Sequence, residues 1–421
     1  MFNHKLKLTG GAALRALLGS ALIASCAGLL LAGAARAEEG KNNVSAKMAK
    51  PLKAAQDDLT AKRYSDAILK LKEAEGAAGK SAYDQHVIYE MLKVAYVRTQ
   101  NYADAAKVME AEIDDGFVPP SEMQGLVRGL AQVNYQIKNY EKAIEFGNRA
   151  IKGGFADEEL RTLVGQAYYL KGDWKGTLHY EEGVVDNLIK EGRTPKSEAL
   201  QLILSACVKL NDQPCETRAL ERVVTYYPKP DYWYQLLFTL RQQTSGNDAN
   251  TLQTYRLMSE VDVLKNPEDY TEMAQLALEA GSPGEAQRIL EKGIAKGVFT
   301  DQRAKQKNER LLENAKKAAA TDQAALQRIA KEAETAPTGA KNVGLGLAYF
   351  GYGQYDQAVE AISKGISKGG LRNEGEARLL LGIAQLKAGH KEDATKTFHA
   401  VKGDPSLERL ANLWTLHAKQ A

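Results

Sequence analysis

A catalytic or metal site shows in a sequence as reactive side chains at fixed spacing, and this chain offers few such groups. Beyond residue 37 its histidines are His86, His179, His390, His399 and His417. They are scattered, and His390 and His399, nine residues apart, do not make a helical ligand pair. The histidines are read as surface residues, and no catalytic set, metal site or cofactor is expected. Gly344-Leu345-Gly346 is not a nucleotide loop, because Tyr349 stands where a third phosphate-loop glycine would be. Carboxylates are abundant, but a hydrolytic pair needs two acids across a cleft with separated pKa values. Glutamates beside lysines on a helix are ordinarily a solvated face. The remaining reactive pair is Cys207 and Cys215. The segment between them reads as a helix end and a turn at Asn211-Asp212-Gln213-Pro214, which can bring two thiols together across a helical hairpin. A disulfide is expected, with two buried thiols packing as small apolar groups as the alternative. The pair lacks the two-residue spacing of an exchange motif.

What carries these groups depends on where the mature chain begins. Met1 to Arg15 is short and basic, and Ala16 to Ala35 is uncharged and rich in Leu, Ala and Gly. The run closes on Ala35-Arg36-Ala37, a small-x-small cleavage site, before the polar Glu38-Glu39-Gly40. Residues 1–37 are therefore expected to be a secretory signal peptide cut after Ala37. Two alternatives stay open. About twenty residues can span a bilayer as an uncleaved anchor, and Ile23-Ala24-Ser25-Cys26 resembles a lipoprotein site that would lipidate Cys26. Under all three the body lies outside the cytoplasmic membrane. In a bacterium with two membranes that is the periplasm, with an outer-membrane lipoprotein as the variant. An even pair of cysteines suits such an oxidising compartment. Without Lys5, Lys7, Arg15 and Arg36 the 56 basic residues fall to 52 against 53 acidic ones. A nucleic-acid partner needs a basic surplus, so none is expected. With 26% charged and 44% hydrophobic residues the chain is not globally disordered, and its single long apolar run excludes a polytopic membrane protein.

Past the leader, small and aromatic residues recur. Ala55, Tyr64 and Ala67 set the pattern, and Ala131, Tyr140 and Ala143 repeat it, as do Gly346, Tyr355 and Ala358. Gly165, Tyr168 and Trp174 carry Thr177 at the alanine position, and Lys93 takes the small position before Tyr96, Tyr102 and Ala105. Ala274 with Ala286, and Gly382 with Ala394 and Phe398, carry Pro283 and Lys391 in the aromatic slot. These residues resemble the tetratricopeptide repeat, a helix–turn–helix unit of about 34 residues. The resemblance covers residues 50–402. It implies an all-α fold, an α-solenoid superhelix of stacked helical hairpins. Small residues let the two helices of a hairpin approach closely, and Leu345 and Ile362 are examples of the apolar positions that point into the seam between hairpins.

The small positions fall near 55, 93, 131, 165, 205, 237, 274, 346 and 382, leaving one double step. The missing unit is charged and Ala-rich and is expected to be a degenerate helical hairpin, either a hinge between sub-stacks or an inserted arm. The chain then divides into signal peptide 1–37, flexible tether 38–47, repeats 48–300, the degenerate hairpin 301–336, repeats 337–402 and a capping helix 403–421. Gln242 to Asn250 reads as a long loop. The prolines, from Pro51 to Pro405, fit helix starts or turns. Gly116-Phe117, Gly154-Phe155, Gly297-Val298 and Gly370-Leu371 fit helix ends.

In tetratricopeptide repeats the concave surface is lined by the first helix of each unit. Carried over to this chain, the resemblance places Arg128, Gln132, Tyr135, Gln136, Gln166, Tyr169, Tyr234, Phe238 and Arg241 there. Tyr, Gln and Arg suit a binding surface. The alternative is that the aromatics are buried between neighbouring helices. The implied function is a non-catalytic periplasmic scaffold or adaptor that binds a protein or peptide segment in its groove within a cell-envelope assembly. A glycan-binding module, for peptidoglycan or an exported polysaccharide, is the alternative.

Overall fold

The computed structural model describes residues 43–155, 157–244 and 246–420. Among the described residues there are twenty helices and no strand. Cys26 and Ala37 lie outside them. No helix among the described residues is long and apolar enough to cross a membrane. The chain divides into two compact units, one ending at Glu216 and one beginning at Thr217.

The first unit contains α1 (Ala46–Thr60), α2 (Tyr64–Gly76), α3 (Ala82–Arg98), α4 (Tyr102–Asp114), α5 (Pro120–Gln136), α6 (Tyr140–Lys152), α7 (Glu158–Lys171), α8 (Trp174–Lys190) and α9 (Ser197–Lys209). The division falls within α10 (Gln213–Tyr226). Successive helices pair as hairpins because one residue reverses the chain between them. Lys62, Gln100, Lys138 and Asn211 take φ values of 60, 59, 61 and 54° at these turns, and Gly172 takes 81°. The left-handed region costs a side chain about 1–2 kcal/mol, so docking of the two helices must offset it. A polar cap then opens the second helix. Asn101, Asn139 and Asp173 accept from the backbone N–H groups of Asp104, Lys142 and Gly176, which the helix start would leave unpaired.

The seams close on small residues: Ala55, Ala67, Ala105, Ala131 and Ala143 are fully buried. Lys93 breaks this pattern for a reason visible in the structure. Its Nζ lies 2.5 Å from Glu112 Oε1, and both side chains are buried, so the lysine charge is met by an acid of the partner helix. Burial pushes the Glu112 carboxyl up, against the pull of Lys93. Pro51 also departs from expectation, lying inside α1 rather than at a helix start. Cys207 and Cys215 are joined by a disulfide across the α9–α10 turn, with Cα atoms 5.4 Å apart.

The second unit continues with α11 (Pro230–Gln243), α12 (Asp248–Glu260), α13 (Pro267–Glu279), α14 (Pro283–Ala295), α15 (Gln302–Thr335), α16 (Ala340–Gly351), α17 (Tyr355–Lys368), α18 (Glu374–Lys387), α19 (Lys391–His399) and α20 (Pro405–Gln420). Two expectations are corrected here. Residues 301–336 do not form a hairpin, because α15 is one helix of 34 residues. No Gly or Pro interrupts it and its sequence is rich in strong helix formers, so propensity carries the helix through where packing does not demand a turn. Only Asn308, Ala315, Ala319 and Ala333 of it are buried. The long loop read over Gln242 to Asn250 is also shorter, since α11 runs to Gln243 and α12 begins at Asp248. Leu407, Leu410 and Trp414 bury one face of α20.

The interior of this unit is a helix. Every residue of α12 from Asn250 to Met258 is buried. A helix covered on all sides lies within a fold rather than on its surface, and its polar groups must then find partners. Arg256 Nη2 meets Glu285 Oε2 of α14 at 2.6 Å, and its guanidinium lies 5.3 Å from the Phe350 ring of α16. Asn250 donates to Asp404 at 3.0 Å. Glu260 pairs with Lys387 of α18 at 2.8 Å and with His417 of α20 at 3.8 Å. Burial would raise the Glu260 carboxyl, but the neighbouring His417 and the hydrogen-bonded Lys387 hold it down to about 2.

Candidate functional site

The residues that sequence placed on the first helices are in position to join one hairpin to the next. Tyr135 of α5 donates to Gln166 Oε1 of α7 at 2.7 Å, and Gln166 Nε2 donates to Glu198 Oε1 of α9 at 2.5 Å. Tyr169 of α7 shares a 2.7 Å hydrogen bond with Ser205 of α9. Arg128 of α5 bridges to Asp157 and Glu159, each at 3.0 Å. Gln132 and Gln166 are buried, and Gln136 is half-buried. The rings of Tyr135 and Tyr169 pack edge-on against Tyr140 and Trp174. Burial pushes the Tyr135 hydroxyl up to about 12, which keeps it a proton donor at neutral pH. Tyr135, Gln166, Tyr169 and Arg128 therefore act as rungs between successive hairpins, while Gln132 and Gln136 are withdrawn from solvent.

In the second unit Tyr234, Phe238 and Arg241 cluster on α11. Tyr234 stacks on Phe238 with ring centroids 5.8 Å apart, and Lys265 Nζ lies 4.7 Å from the Tyr234 ring. Arg241 donates to Asp269 Oδ1 at 3.1 Å and to the Tyr255 hydroxyl. Much of this face is thus spent on holding α12 and α13.

A further site in the second unit was not found from sequence. A cleft of about 870 Å³ opens between α12 on one side and α16 and α18 on the other. Leu252, Val343, Leu347, Leu371 and Leu380 give it apolar walls. Arg372 and Lys402 face it together with Glu374, Glu376 and Asp404, so its rim carries both charges. Gln253 also lines it, and the side-chain oxygen of this buried amide has no hydrogen-bond partner among the described residues. Volume, apolar walls and a few polar groups together make it a candidate binding site. Val343 and Leu347 lie on the first helix of a repeat, so repeat position could have pointed to them. The α12 wall could not have been found that way.

The chemical groups are otherwise structural. His86 is not a surface residue as expected: it is buried, with Nδ1 2.9 Å from Asp115 Oδ2 and Nε2 4.0 Å from Glu90. It caps a polar cluster between α3 and α4 instead of facing solvent. Even so, no group of three or more His, Cys, Asp or Glu side chains that could hold a metal ion occurs among the described residues. Against the expectation that the chain has no nucleophile elbow, Gly365-Ile366-Ser367-Lys368-Gly369 has that spacing. It lies at the end of α17 rather than on a strand-to-helix turn, so Ser367 lacks the setting that exposes a nucleophile.

Comparison with known proteins matches residues 94–158 and 343–406 to a tetratricopeptide repeat family model. No curated protein sequence matches the chain. Among solved structures, a Naa15/Naa10 complex bound to HypK-THB is similar at 15% identity and a TM-score of 0.40 over 87% of this chain. The present chain spans 61% of that one. A tetratricopeptide repeat protein from Parabacteroides merdae is similar at 13% identity and a TM-score of 0.30, covering 72% of this chain and 99% of its own. Yeast Tom70 is similar at 11% identity and a TM-score of 0.25, covering 88% and 95%.

Proposed function

Here is a protein that carries tetratricopeptide repeats, and from that premise we propose that it is a non-catalytic scaffold, exported to the periplasm, that holds a segment of a partner protein in the cleft between α12, α16 and α18. Helical repeats of this type serve in general as protein-binding scaffolds. The observation that carries the specific reading is the cleft itself, with leucine walls and a rim of both charges. Apolar side chains at intervals along a partner segment would fill the walls, and charged groups between them would meet the rim. The disulfide between Cys207 and Cys215 supports an oxidising compartment, as does the leader ending at Ala37.

A peptide is favoured over a glycan on one observation. Sugar rings stack on open aromatic faces, but the groove tyrosines are engaged: Tyr135 and Tyr169 are bonded through their hydroxyls and packed against Tyr140 and Trp174, and Tyr234 stacks on Phe238 with Lys265 over its ring. The test is co-purification from envelope extract of wild type against Val343→Glu with Leu371→Glu. Loss of a defined partner in the variant, with circular dichroism unchanged, supports the reading; retention of it refutes the cleft. The intact mass of the mature chain tests export, since cleavage after Ala37 and lipidation at Cys26 give distinct masses.

A further inference from the structure

The seam of one hairpin holds an acid where its siblings hold apolar groups. Sixteen residues separate Gly165 from Glu181, as they separate Gly346 from Ile362 and Gly382 from Phe398. The three glycines serve one purpose. A Cβ on Gly346 would lie 2.4 Å from Ile362, one on Gly382 2.5 Å from Phe398, and one on Gly165 1.7 Å from Glu181 Oε1. Glu181 is 3% exposed, and no hydrogen bond or ion pair from the described residues holds its carboxyl. An unpartnered acid at such a position works against folding, whereas isoleucine or phenylalanine there favours it.

Glu181 lines a cavity of about 250 Å³ between α7, α8 and α9. Val184, Leu188 and Leu202 form its apolar walls. The charged groups that face it are Glu158 and Arg161 from α7, Glu191, Arg193 and Lys196 from the turn after α8, and Glu198 from α9. Lys196 pairs with Glu158 at 3.0 Å and Arg193 with Glu191 at 3.2 Å. Glu198 accepts from the uncharged amide of Gln166. With Glu181 ionised, the lining therefore carries four carboxylates against three cations. Burial, and then the neighbouring Glu198, raise the Glu181 carboxyl to about 8, so near neutral pH a proton supplies the missing charge.

We propose that this cavity binds one organic cation, an ammonium or guanidinium on an aliphatic stem, with Glu181 and Glu198 as counter-charges and Val184, Leu188 and Leu202 along the stem. The cation replaces the proton on Glu181, which leaves to solvent as the ligand enters. A free alkylamine and the lysine or arginine side chain of a partner protein carry the same chemistry. The site is independent of the cleft between α12, α16 and α18, because a small amine alone tests it.

The experiment is calorimetric titration of the full chain with n-butylammonium and with Nα-acetyl-lysinamide, in buffers of different ionisation enthalpy. Saturable binding is expected, with close to one proton released per ligand near pH 7. Binding is about tenfold tighter at pH 7 than at pH 6, because only the ionised acid takes the cation. Glu181→Leu and Glu181→Gln each weaken binding at least about tenfold, as loss of a charge-assisted partner should. Tighter binding of the lysine derivative assigns the site to a protein side chain, and tighter binding of butylammonium assigns it to a free amine. The proposal is overturned if neither amine saturates, if 1-butanol binds as tightly as butylammonium, or if Glu181→Leu and Glu181→Gln both leave binding unchanged.

Discussion

Replacing Glu181 by leucine stabilises the first unit, by an amount that depends on pH. In the unfolded chain the carboxyl titrates at its ordinary value of 4.5, and in the fold at about 8. Between these values the folded chain keeps a proton that the unfolded chain has released, so raising the pH favours unfolding. Each pKa unit is worth about 1.4 kcal/mol. Integrated over the titration, the penalty is about 1 kcal/mol at pH 5 and about 3 kcal/mol at pH 7. Leucine removes it and supplies the kind of seam contact that Ile362 makes against Gly346. Amide hydrogen exchange across α7, α8 and α9, measured without added amine, reads the opening free energy of this region. Protection in Glu181→Leu should exceed wild type about fivefold at pH 5 and about a hundredfold at pH 7. A variant less protected than wild type at pH 7, or a gap equal at both values, refutes the reasoning.

Three other perturbations test the packing. Lys93→Ala leaves Glu112 buried without its partner and should cost about 3 kcal/mol in urea unfolding, most of it recovered when Glu112→Leu is added. Gly382→Ala places a Cβ 2.5 Å from the Phe398 ring, so it should lower stability by about 1–3 kcal/mol and be partly rescued by Phe398→Leu. Replacing Cys207 and Cys215 together by alanine should lower stability by about 2–3 kcal/mol, the loop-closure value for a short loop, and should abolish the effect of dithiothreitol on thermal unfolding.

The hairpins were legible in sequence because each is encoded locally. A small residue, an aromatic and an alanine at fixed spacing mark one closely packed turn, and Ala131, Tyr140 and Ala143 form that turn in the structure as in the sequence. The interior placement of α12 was not legible. Thr251, Gln253, Thr254 and Arg256 are polar residues that usually lie outside, and Arg256 is buried only because Glu285 arrives from α14 to pair with it. Contacts of that range leave no periodic trace. The single helix α15 could have been read from the absence of Gly and Pro between Gln302 and Thr335, but its charged, Ala-rich composition is equally that of a weakly packed hairpin. Glu181 was open to reading, since it takes the same repeat position as Ile362 and Phe398. What sequence could not supply was the cavity beside it, which depends on how α7, α8 and α9 diverge. The rung residues show the same limit. Their types suggested a binding face, and whether Gln166 meets a partner or Tyr135 depends on distances between hairpins.

The most direct test of the scaffold reading is site-specific photo-cross-linking in cells. A benzophenone side chain at Leu347, on the wall of the cleft, is compared with one at Leu69, exposed on α2. A discrete adduct with one polypeptide from Leu347, absent from Leu69 and lost when Val343→Glu is added, is the predicted result. Adducts of equal yield from both positions, or none from Leu347, would contradict it.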